Sequence, residues 1–121
     1  MGRRVLIVED EERIRDVLAR ALTRKGFTVS LAANGSEGLR LAQECSPEVI
    51  LSDVLMPVLS GPEMIQRLRA TGISVPAVLM SGHTGSFAGM VDSMLAEGVV
   101  QGFLEKPFNH LNEVVDLLNR V

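Results

Sequence analysis

The sequence predicts an α/β fold in which helices cover both faces of a mostly parallel β-sheet. Short apolar runs of strand length alternate five times with segments that have helical periodicity. The chain has 121 residues, of which 46% are hydrophobic, so it can bury one core without a disulfide or a structural metal. Repeated strand–helix alternation implies parallel strands joined by right-handed crossovers. Because 121 residues is the size of one compact domain, we expect a single domain over residues 1–121.

The predicted strands are short apolar runs rich in β-branched or aromatic side chains. They cover residues 5–8, 27–32, 49–51, 77–80 and 102–104. Each is followed by a segment with helical character. The segment from residue 81 to residue 102 contains five glycines, so its helix is expected to be the least regular element.

Apolar side chains recur with helical spacing in the first and last helices, which predicts that one side of each helix is buried. The predicted core positions are Ile14, Val17, Leu18, Ala21 and Leu22 in the first helix, and Leu111, Val114, Val115 and Leu118 in the last. Two helix starts are also indicated, since Asn34 and Ser60 each precede a glutamate by three residues, the spacing of a capping box. Gly26 suits the left-handed residue that ends the first helix.

Composition argues against several classes of protein. The net charge is −3 and no basic run extends beyond Arg3 and Arg4, so direct binding to nucleic acid is not expected. The single cysteine, Cys45, cannot form an internal disulfide and favours a reducing compartment. Because no apolar run is long enough to span a membrane and the N-terminus lacks a signal peptide, we expect a cytoplasmic protein that does not bind membranes.

Polar and charged side chains follow four of the predicted strands. Ligands of open parallel sheets bind beyond the carboxyl ends of the strands, so these side chains are expected to meet there. The first strand is followed by Glu9, Asp10 and Glu11, the third by Asp53, the fourth by Ser81, and the fifth by Glu105, Lys106 and Pro107.

This set of residues suits phosphoryl transfer assisted by Mg²⁺. Clustered carboxylates repel one another unless a cation neutralises them, and Mg²⁺ prefers carboxylate and phosphate oxygens. Asp53 can then act as a nucleophile that forms an aspartyl phosphate, with Lys106 beside it. Each residue alone also has a structural explanation, as an acid at a helix N-terminus, a turn residue or a loop lysine. Their coincidence at four strand ends favours a functional site.

Four motifs resemble the receiver domain of bacterial two-component response regulators, and the resemblance spans essentially the whole chain. They are VLIVEDE at residues 5–11, Asp53-x-x-Met56-Pro57-x-x-x-Gly61, VLMS at residues 78–81 and FLEKPF at residues 103–108. The resemblance implies a flavodoxin-like, doubly wound sheet in the order 2-1-3-4-5 with five helices. The runs VLMSGHT and GFLEKPF are also similar to receivers of hybrid sensor histidine kinases, from which this chain would then be an excised domain.

The resemblance also implies roles for individual residues. Asp53 matches the phosphoacceptor, which receives a phosphoryl group from a phosphohistidine on a sensor histidine kinase or phosphotransfer domain. Asp10 matches the main Mg²⁺ ligand, helped by Asp53, by Glu9 directly or through water, and by the backbone carbonyl of Leu55. Lys106 matches the lysine that contacts the phosphoryl group.

Two further matches imply a conformational switch. Ser81 matches the hydroxyl residue that moves toward the phosphoryl group, and Phe103 the aromatic residue that then turns inward. The face formed by the fourth helix, fifth strand and last helix is expected to change and to be recognised by partners, including a second copy of the chain. Leu55 and His83 lie where attacking water would pass, so we expect them to set the lifetime of the phosphoryl group.

Other classes fit less well. A phosphohydrolase of the haloacid-dehalogenase type needs a second acid two residues after the nucleophile, where this chain has Leu55. A flavodoxin needs a phosphate-binding loop after the first strand, where this chain has acids. The chain is therefore not expected to be an enzyme beyond its own phosphorylation and dephosphorylation. The remaining alternative is a pseudo-receiver that is not phosphorylated and serves only as a protein-binding module.

Overall fold

Five parallel strands form a single sheet in the order β2-β1-β3-β4-β5, as the resemblance implied. The computed structural model describes residues 3–83, 85–106 and 111–121. The strands are β1 (Arg4–Val8), β2 (Thr28–Ala32), β3 (Val49–Asp53), β4 (Ala77–Ser81) and β5 (Gly102–Glu105). The helices are α1 (Glu12–Arg24), α2 (Gly35–Glu44), α3 (Gly61–Ala70), α4 (Ala88–Ala96) and α5 (Leu111–Arg120). The predicted fold class is confirmed.

The core has two layers, one on each side of the sheet. Alternate residues of the strands point to opposite faces, so Leu6 and Ile50 pack with α2, α3 and α4, whereas Ile7 and Leu51 pack with α1 and α5. Strands β3 and β4 are buried along their whole length, as expected for strands that are covered on both faces.

The predicted helix ends form largely as expected. Gly26 has φ +94° and follows the end of α1. Ser60 and Glu63 form a complete capping box at the start of α3, with both hydrogen bonds at 3.2 Å. Asn34 caps α2 by accepting a hydrogen bond from the Glu37 N–H at 2.8 Å. In α2, however, the Glu37 carboxylate accepts from the Ala33 N–H rather than from the cap residue.

The prediction that Val17 belongs to the core is wrong, because this side chain is 57% exposed. Leu18 and Leu22 are buried and define the side of α1 that faces the sheet. At 3.6 residues per turn, Val17 lies about 140° around the helix axis from Leu22. In α5, by contrast, all four predicted core positions lie in or against the apolar layer.

The glycine-rich segment forms a short 3₁₀ helix over Gly85–Phe87, followed by the nine residues of α4. Pro107 and Phe108, which belong to one of the sequence motifs, lie outside the described residues. Within the described part of the chain, no helix is long and apolar enough to cross a membrane.

Candidate functional site

Four of the residues predicted from the strand ends, Glu9, Asp10, Asp53 and Lys106, meet at the carboxyl edge of the sheet. One carboxylate oxygen from each of Glu9, Asp10 and Asp53 lies within 4.8 Å of the others. The Lys106 ammonium donates to Asp53 Oδ2 at 3.1 Å and to Glu9 Oε1 at 2.5 Å. Three segments that are far apart in sequence therefore supply one cluster of three carboxylates and one ammonium.

Asp53 is held by its own strand and by the turn that follows it. Its side chain is close to fully buried, and Oδ1 accepts a hydrogen bond from the Val54 N–H at 3.0 Å. The Ser52 hydroxyl donates to the Asp53 carbonyl at 2.9 Å. These contacts fix the carboxylate at the end of β3, with Lys106 bound to its second oxygen.

Gly61 allows the loop after Asp53 to fold back on the strand. Its N–H donates to the Val54 carbonyl at 2.9 Å. A Cβ atom at this position would lie 2.1 Å from the Asp53 carbonyl oxygen, a distance that no side chain can accept. The glycine that ends the Asp53-x-x-Met56-Pro57-x-x-x-Gly61 motif is therefore required for the close backbone approach beside Asp53.

Glu9 is fully buried, and its charge is matched inside the protein. One oxygen accepts from Lys106, and the other accepts from the Glu11 N–H at 3.1 Å. The sequence did not indicate two details of this arrangement. Lys106 is shared between Glu9 and Asp53, and the Arg15 guanidinium donates to the Glu9 carbonyl at 2.9 Å. The lysine contact has no local signal, since Lys106 lies 97 residues from Glu9, whereas Arg15 lies only six residues from it.

The electrostatics of the cluster favour a bound cation. Burial alone would lower the pKa of Lys106, but its contacts with Glu9 and Asp53 outweigh this effect and raise the pKa above its ordinary value. Lys106 is thus charged at neutral pH. The pKa of Asp10 is also raised, first by burial and then by the neighbouring Glu9 carboxylate, against the opposing effect of Lys106.

The donor set fits a small divalent cation. Three carboxylates and one ammonium leave two negative charges uncompensated. The pKa of Asp10 is raised by burial and further by the Glu9 carboxylate, so a bound cation would favour the ionised form of Asp10. All three candidate ligands present hard oxygen atoms, as Mg²⁺ prefers, and Asp10 is exposed, which leaves room for water and a phosphate oxygen.

Ser81 lies at the end of β4, and its hydroxyl is hydrogen-bonded to the loop that follows the strand. Its hydroxyl donates to the His83 carbonyl at 2.7 Å and accepts from the His83 N–H at 3.0 Å. Both hydrogen bonds must break before the hydroxyl can turn toward Asp53. Lys106 is adjacent, since its N–H donates to the Ser81 carbonyl at 3.0 Å.

Leu55 and His83 lie on two different loops that approach each other at Gly85. A Cβ atom on Gly85 would lie 3.9 Å from Leu55 Cδ1 and 3.8 Å from His83 Nε2. Leu55 is 38% exposed, and it follows Asp53 by two residues. Leu55 and His83, which were expected to lie where attacking water would pass, therefore both lie close to Gly85.

Phe103 is partly buried and lies on the same side of the sheet as α4. It borders a cavity of about 290 Å³ whose other walls are Ser81, Gly82, His83 and Glu105. Phe103 and Ser81 therefore line the same cavity.

Comparison with known proteins gives a consistent result. The sequence profile of the family described as response regulator receiver domain matches residues 5–119. The chain is 36% identical over 118 residues to the uncharacterized transcriptional regulatory protein YkoG of Bacillus subtilis, covering 97% of this chain and 48% of YkoG. It is 39% identical over 108 residues to the sensor kinase CckA of Brucella abortus, covering 87% of this chain and 11% of CckA.

A solved structure agrees over nearly the whole fold. The response regulator protein TrrA of Thermotoga maritima, in complex with Mg(2+)-BeF, has a TM-score of 0.83 and 25% sequence identity. The match covers 99% of this chain and 98% of that one. The chain thus matches a whole TrrA molecule, but it spans about half of YkoG and a small part of CckA.

Proposed function

Because the chain belongs to the response regulator receiver domain family, we propose that Asp53 is its phosphoacceptor and that the surrounding cluster supports phosphoryl transfer. A receiver domain is a signalling switch of a two-component system rather than an enzyme in the usual sense. The observation that carries the proposal is the contact of Lys106 with an Asp53 carboxylate inside a cluster of three acids. A pseudo-receiver is not favoured, since the acceptor, both flanking acids and the lysine are present together.

In the proposed reaction an Asp53 oxygen attacks the phosphorus of a phosphohistidine on the partner. The new O–P bond forms as the N–P bond breaks, and the imidazole leaves with the electron pair. Lys106, already bonded to Asp53 Oδ2, stabilises the negative charge that gathers on the phosphoryl oxygens. Glu9, Asp10, Asp53 and the Leu55 carbonyl would hold Mg²⁺, which supplies further charge neutralisation.

Ser81 then responds to the phosphoryl group by forming a hydrogen bond with it. The new acceptor oxygens attract the hydroxyl, which exchanges its two hydrogen bonds with His83 for one with the phosphoryl group. Phe103 turns into the space beside Ser81, where the adjoining cavity provides room for the ring. The phosphoryl group shifts the population toward this arrangement, and the face formed by α4, β5 and α5 changes with it.

Leu55 and His83 are proposed to limit the access of water to the phosphoryl group. Replacing Leu55 by Asn puts a polar side chain beside Asp53, and His83→Ala opens the opposite side. Both variants should dephosphorylate faster than the wild type. Leu95 on α4 has a similar exposure, 36% against 38% for Leu55, so Leu95→Asn is a matched control that should leave the rate unchanged. Equal rates in all four proteins would contradict this role.

The phosphodonor is proposed to be a sensor histidine kinase or a phosphotransfer domain in the cytoplasm. The likeness to both a transcriptional regulatory protein and a sensor kinase is compatible with a stand-alone regulator and with the receiver of a hybrid kinase. A second copy of the chain is the other candidate partner for the face of α4, β5 and α5.

Intact-mass spectrometry tests the proposed function. The wild type is incubated with acetyl phosphate and Mg²⁺, beside Asp53→Asn and a sample with EDTA. The expected result is the mass of one phosphoryl group on the wild type and on neither control. If the wild type gains no mass although hydrolysis is too slow to hide the phosphorylated form, the proposed phosphorylation is contradicted. The chain would then be a pseudo-receiver that serves as a protein-binding module.

A further inference from the structure

The loop between β3 and α3 covers residues 54–60 and carries Leu55, whose carbonyl is a proposed Mg²⁺ ligand. Both ends of the loop are fixed by backbone hydrogen bonds. The Val54 N–H donates to the Met80 carbonyl at 3.0 Å, and the Gly61 N–H donates to the Val54 carbonyl at 2.9 Å. Between these ends Leu55 is exposed, whereas Leu59 is buried. Leu59 therefore anchors the second half of the loop in the protein.

Leu59 packs directly against the start of α2. Gly35, the first residue of this helix, is buried, and an added Cβ would lie 2.9 Å from Leu59 Cβ and would overlap the Leu59 carbonyl oxygen. The three heavy atoms nearest to that Cβ all belong to Leu59, and two of them are backbone atoms. Backbone atoms cannot turn away as a side chain can, so this contact requires glycine at position 35.

The start of α2 belongs to a segment that also contacts the loop after β1. We call residues 32–35 the β2–α2 corner. The Glu9 N–H donates to the Ala32 carbonyl at 3.1 Å, and Asn34 fixes the start of the helix by accepting from the Glu37 N–H at 2.8 Å. The corner therefore touches both loops that carry proposed Mg²⁺ ligands, the one after β1 and the one after β3.

We propose that Gly35 is a positioning residue for Mg²⁺ binding, which acts on the Leu55 carbonyl through Leu59. Because position 35 has no side chain, the loop after β3 can pack closely on the β2–α2 corner, and this packing holds the Leu55 carbonyl where it can serve as a ligand. Gly35 lies in none of the four sequence motifs. The inference rests on the proposed function, in which Mg²⁺ binds at the carboxylate cluster.

The loop has little freedom to move away from a side chain at position 35. Two residues after Leu59, Gly61 packs against β3, where an added Cβ would overlap a carbonyl oxygen of the strand. On the other side of Leu59, Val58 already has φ +72°, and the Leu59 N–H donates to the Pro57 carbonyl at 2.8 Å. A displacement of Leu59 is therefore transmitted along the chain toward Leu55.

Gly38 provides a matched control in the same helix. It is also buried, and an added Cβ would lie 2.7 Å from Met64 Sδ and 2.9 Å from Val8 Cγ2. These are side-chain atoms of α3 and β1, and a methionine side chain adapts readily to a new neighbour. Gly38→Ala thus adds the same methyl group to α2 without contacting the loop after β3.

The test measures Mg²⁺ affinity by calorimetry in the wild type, Gly35→Ala and Gly38→Ala. A general loss of stability lowers the urea midpoint but does not change the Mg²⁺ affinity of the folded protein. Gly35→Ala should weaken Mg²⁺ binding about tenfold, as is typical when a residue that supports a metal ligand is replaced. Gly38→Ala should leave the affinity unchanged.

NMR of the metal-free proteins locates the structural change. Gly35→Ala should shift the amide resonances of residues 54–60. Amide shifts confined to residues 9–11 would overturn the route through Leu59. Wild-type Mg²⁺ affinity in Gly35→Ala, or an equal loss of affinity in the two alanine variants, would overturn the proposal.

A second variant serves if Gly35→Ala does not fold. Asn34→Ala removes the side chain that caps α2 and loosens the start of the helix without adding an atom that could clash. It should weaken Mg²⁺ binding about threefold, because the β2–α2 corner then holds Leu59 less firmly. Wild-type affinity in the folded Asn34→Ala protein would overturn the proposal.

Phosphorylation by acetyl phosphate, measured in parallel, separates this proposal from the proposed function. If the wild type binds Mg²⁺ and is phosphorylated, and the corner variants bind Mg²⁺ equally tightly, only the role of Gly35 is overturned. If the wild type neither binds Mg²⁺ nor is phosphorylated, the proposed function is overturned, and the role of Gly35 with it.

Discussion

Asp10, a proposed Mg²⁺ ligand, also affects the stability of the fold. Its pKa is raised by burial and by Glu9, so the folded protein holds this proton more tightly than the unfolded chain does. The stabilising effect of that proton is complete below the ordinary pKa of 3.8 and is lost as the pH rises through the higher folded value. At neutral pH without a cation, the ionised Asp10 is therefore destabilising.

We predict that Asp10→Asn raises the melting temperature at neutral pH without Mg²⁺, by a few degrees. The melting temperature of the variant should not show the pH dependence that Asp10 causes just above pH 3.8, since the amide does not titrate. Thermal unfolding of both proteins between pH 3 and pH 8 measures this. A variant that melts below the wild type at neutral pH would show that Asp10 is stabilising.

Val58 has a strained backbone conformation in the loop that follows Asp53. It is a β-branched residue with φ +72°, and it is 90% exposed. The Leu59 N–H donates to the Pro57 carbonyl at 2.8 Å, which makes Val58 the centre of a tight γ-turn. An L-residue in the left-handed region costs about 1–2 kcal/mol, and β-branching does not relieve that cost.

Val58→Gly should therefore increase the free energy of unfolding by about 1 kcal/mol, although the more flexible unfolded glycine offsets part of the gain. Urea unfolding measures the change. Val17→Gly is the matched control, because Val17 is also exposed but lies inside α1, where glycine should be destabilising. A loss of stability in both variants would mean that the turn is not strained.

At the level of elements, strand positions were predictable and strand ends were not. The apolar runs located all five strands: β3 and β4 are buried along their whole length, and the edge strands β2 and β5 are buried in part. Asp53, Ser81 and Glu105 nevertheless belong to the ends of β3, β4 and β5. Hydrogen bonds to neighbouring strands, rather than hydrophobicity, decide where a strand ends.

The loop between β3 and α3 depends on Gly61. We predict that Gly61→Ala lowers the free energy of unfolding by about 1–3 kcal/mol, since a Cβ would force the loop away from the Asp53 carbonyl. Phosphorylation by acetyl phosphate should slow as the loop moves. Denaturant unfolding and intact-mass kinetics measure the two effects.

Gly89 in α4 provides the control for this substitution. A Cβ at Gly89 would have no neighbour within 4 Å, so Gly89→Ala should stabilise the protein by about 0.5–1 kcal/mol through helix propensity. Equal effects of the two alanines would contradict the requirement for a close approach at Gly61.

For the molecule as a whole, the sequence placed the site but not its internal pairing. Parallel topology brings the carboxyl ends of the strands to one edge, so Asp10, Asp53, Ser81 and Lys106 could be assigned to one cluster. The ion pair between Lys106 and Glu9 depends on how two loops pack across this edge of the sheet. The exposure of Val17 depends on how α1 is rotated about its axis. Neither property is encoded in a local pattern.

Mg²⁺ should stabilise the whole fold by relieving the repulsion within the cluster. A ligand that binds only the folded state, at a concentration ten times its dissociation constant, adds about 1.4 kcal/mol to the free energy of unfolding. We predict that Mg²⁺ increases the free energy of unfolding of the wild type by this amount and that of Asp10→Asn by little or nothing. Urea unfolding at increasing Mg²⁺ concentrations measures both. An equal increase in both proteins would place the ion elsewhere.

Trapping with borohydride can show whether Asp53 itself carries the phosphoryl group. The chain is phosphorylated with acetyl phosphate and Mg²⁺ and then reduced, which converts an aspartyl phosphate to homoserine. Peptide mass mapping then locates the new residue. We expect homoserine at position 53 and at no other acid. Homoserine at position 10, or an unreduced position 53 in protein that has gained the phosphoryl mass, would contradict it.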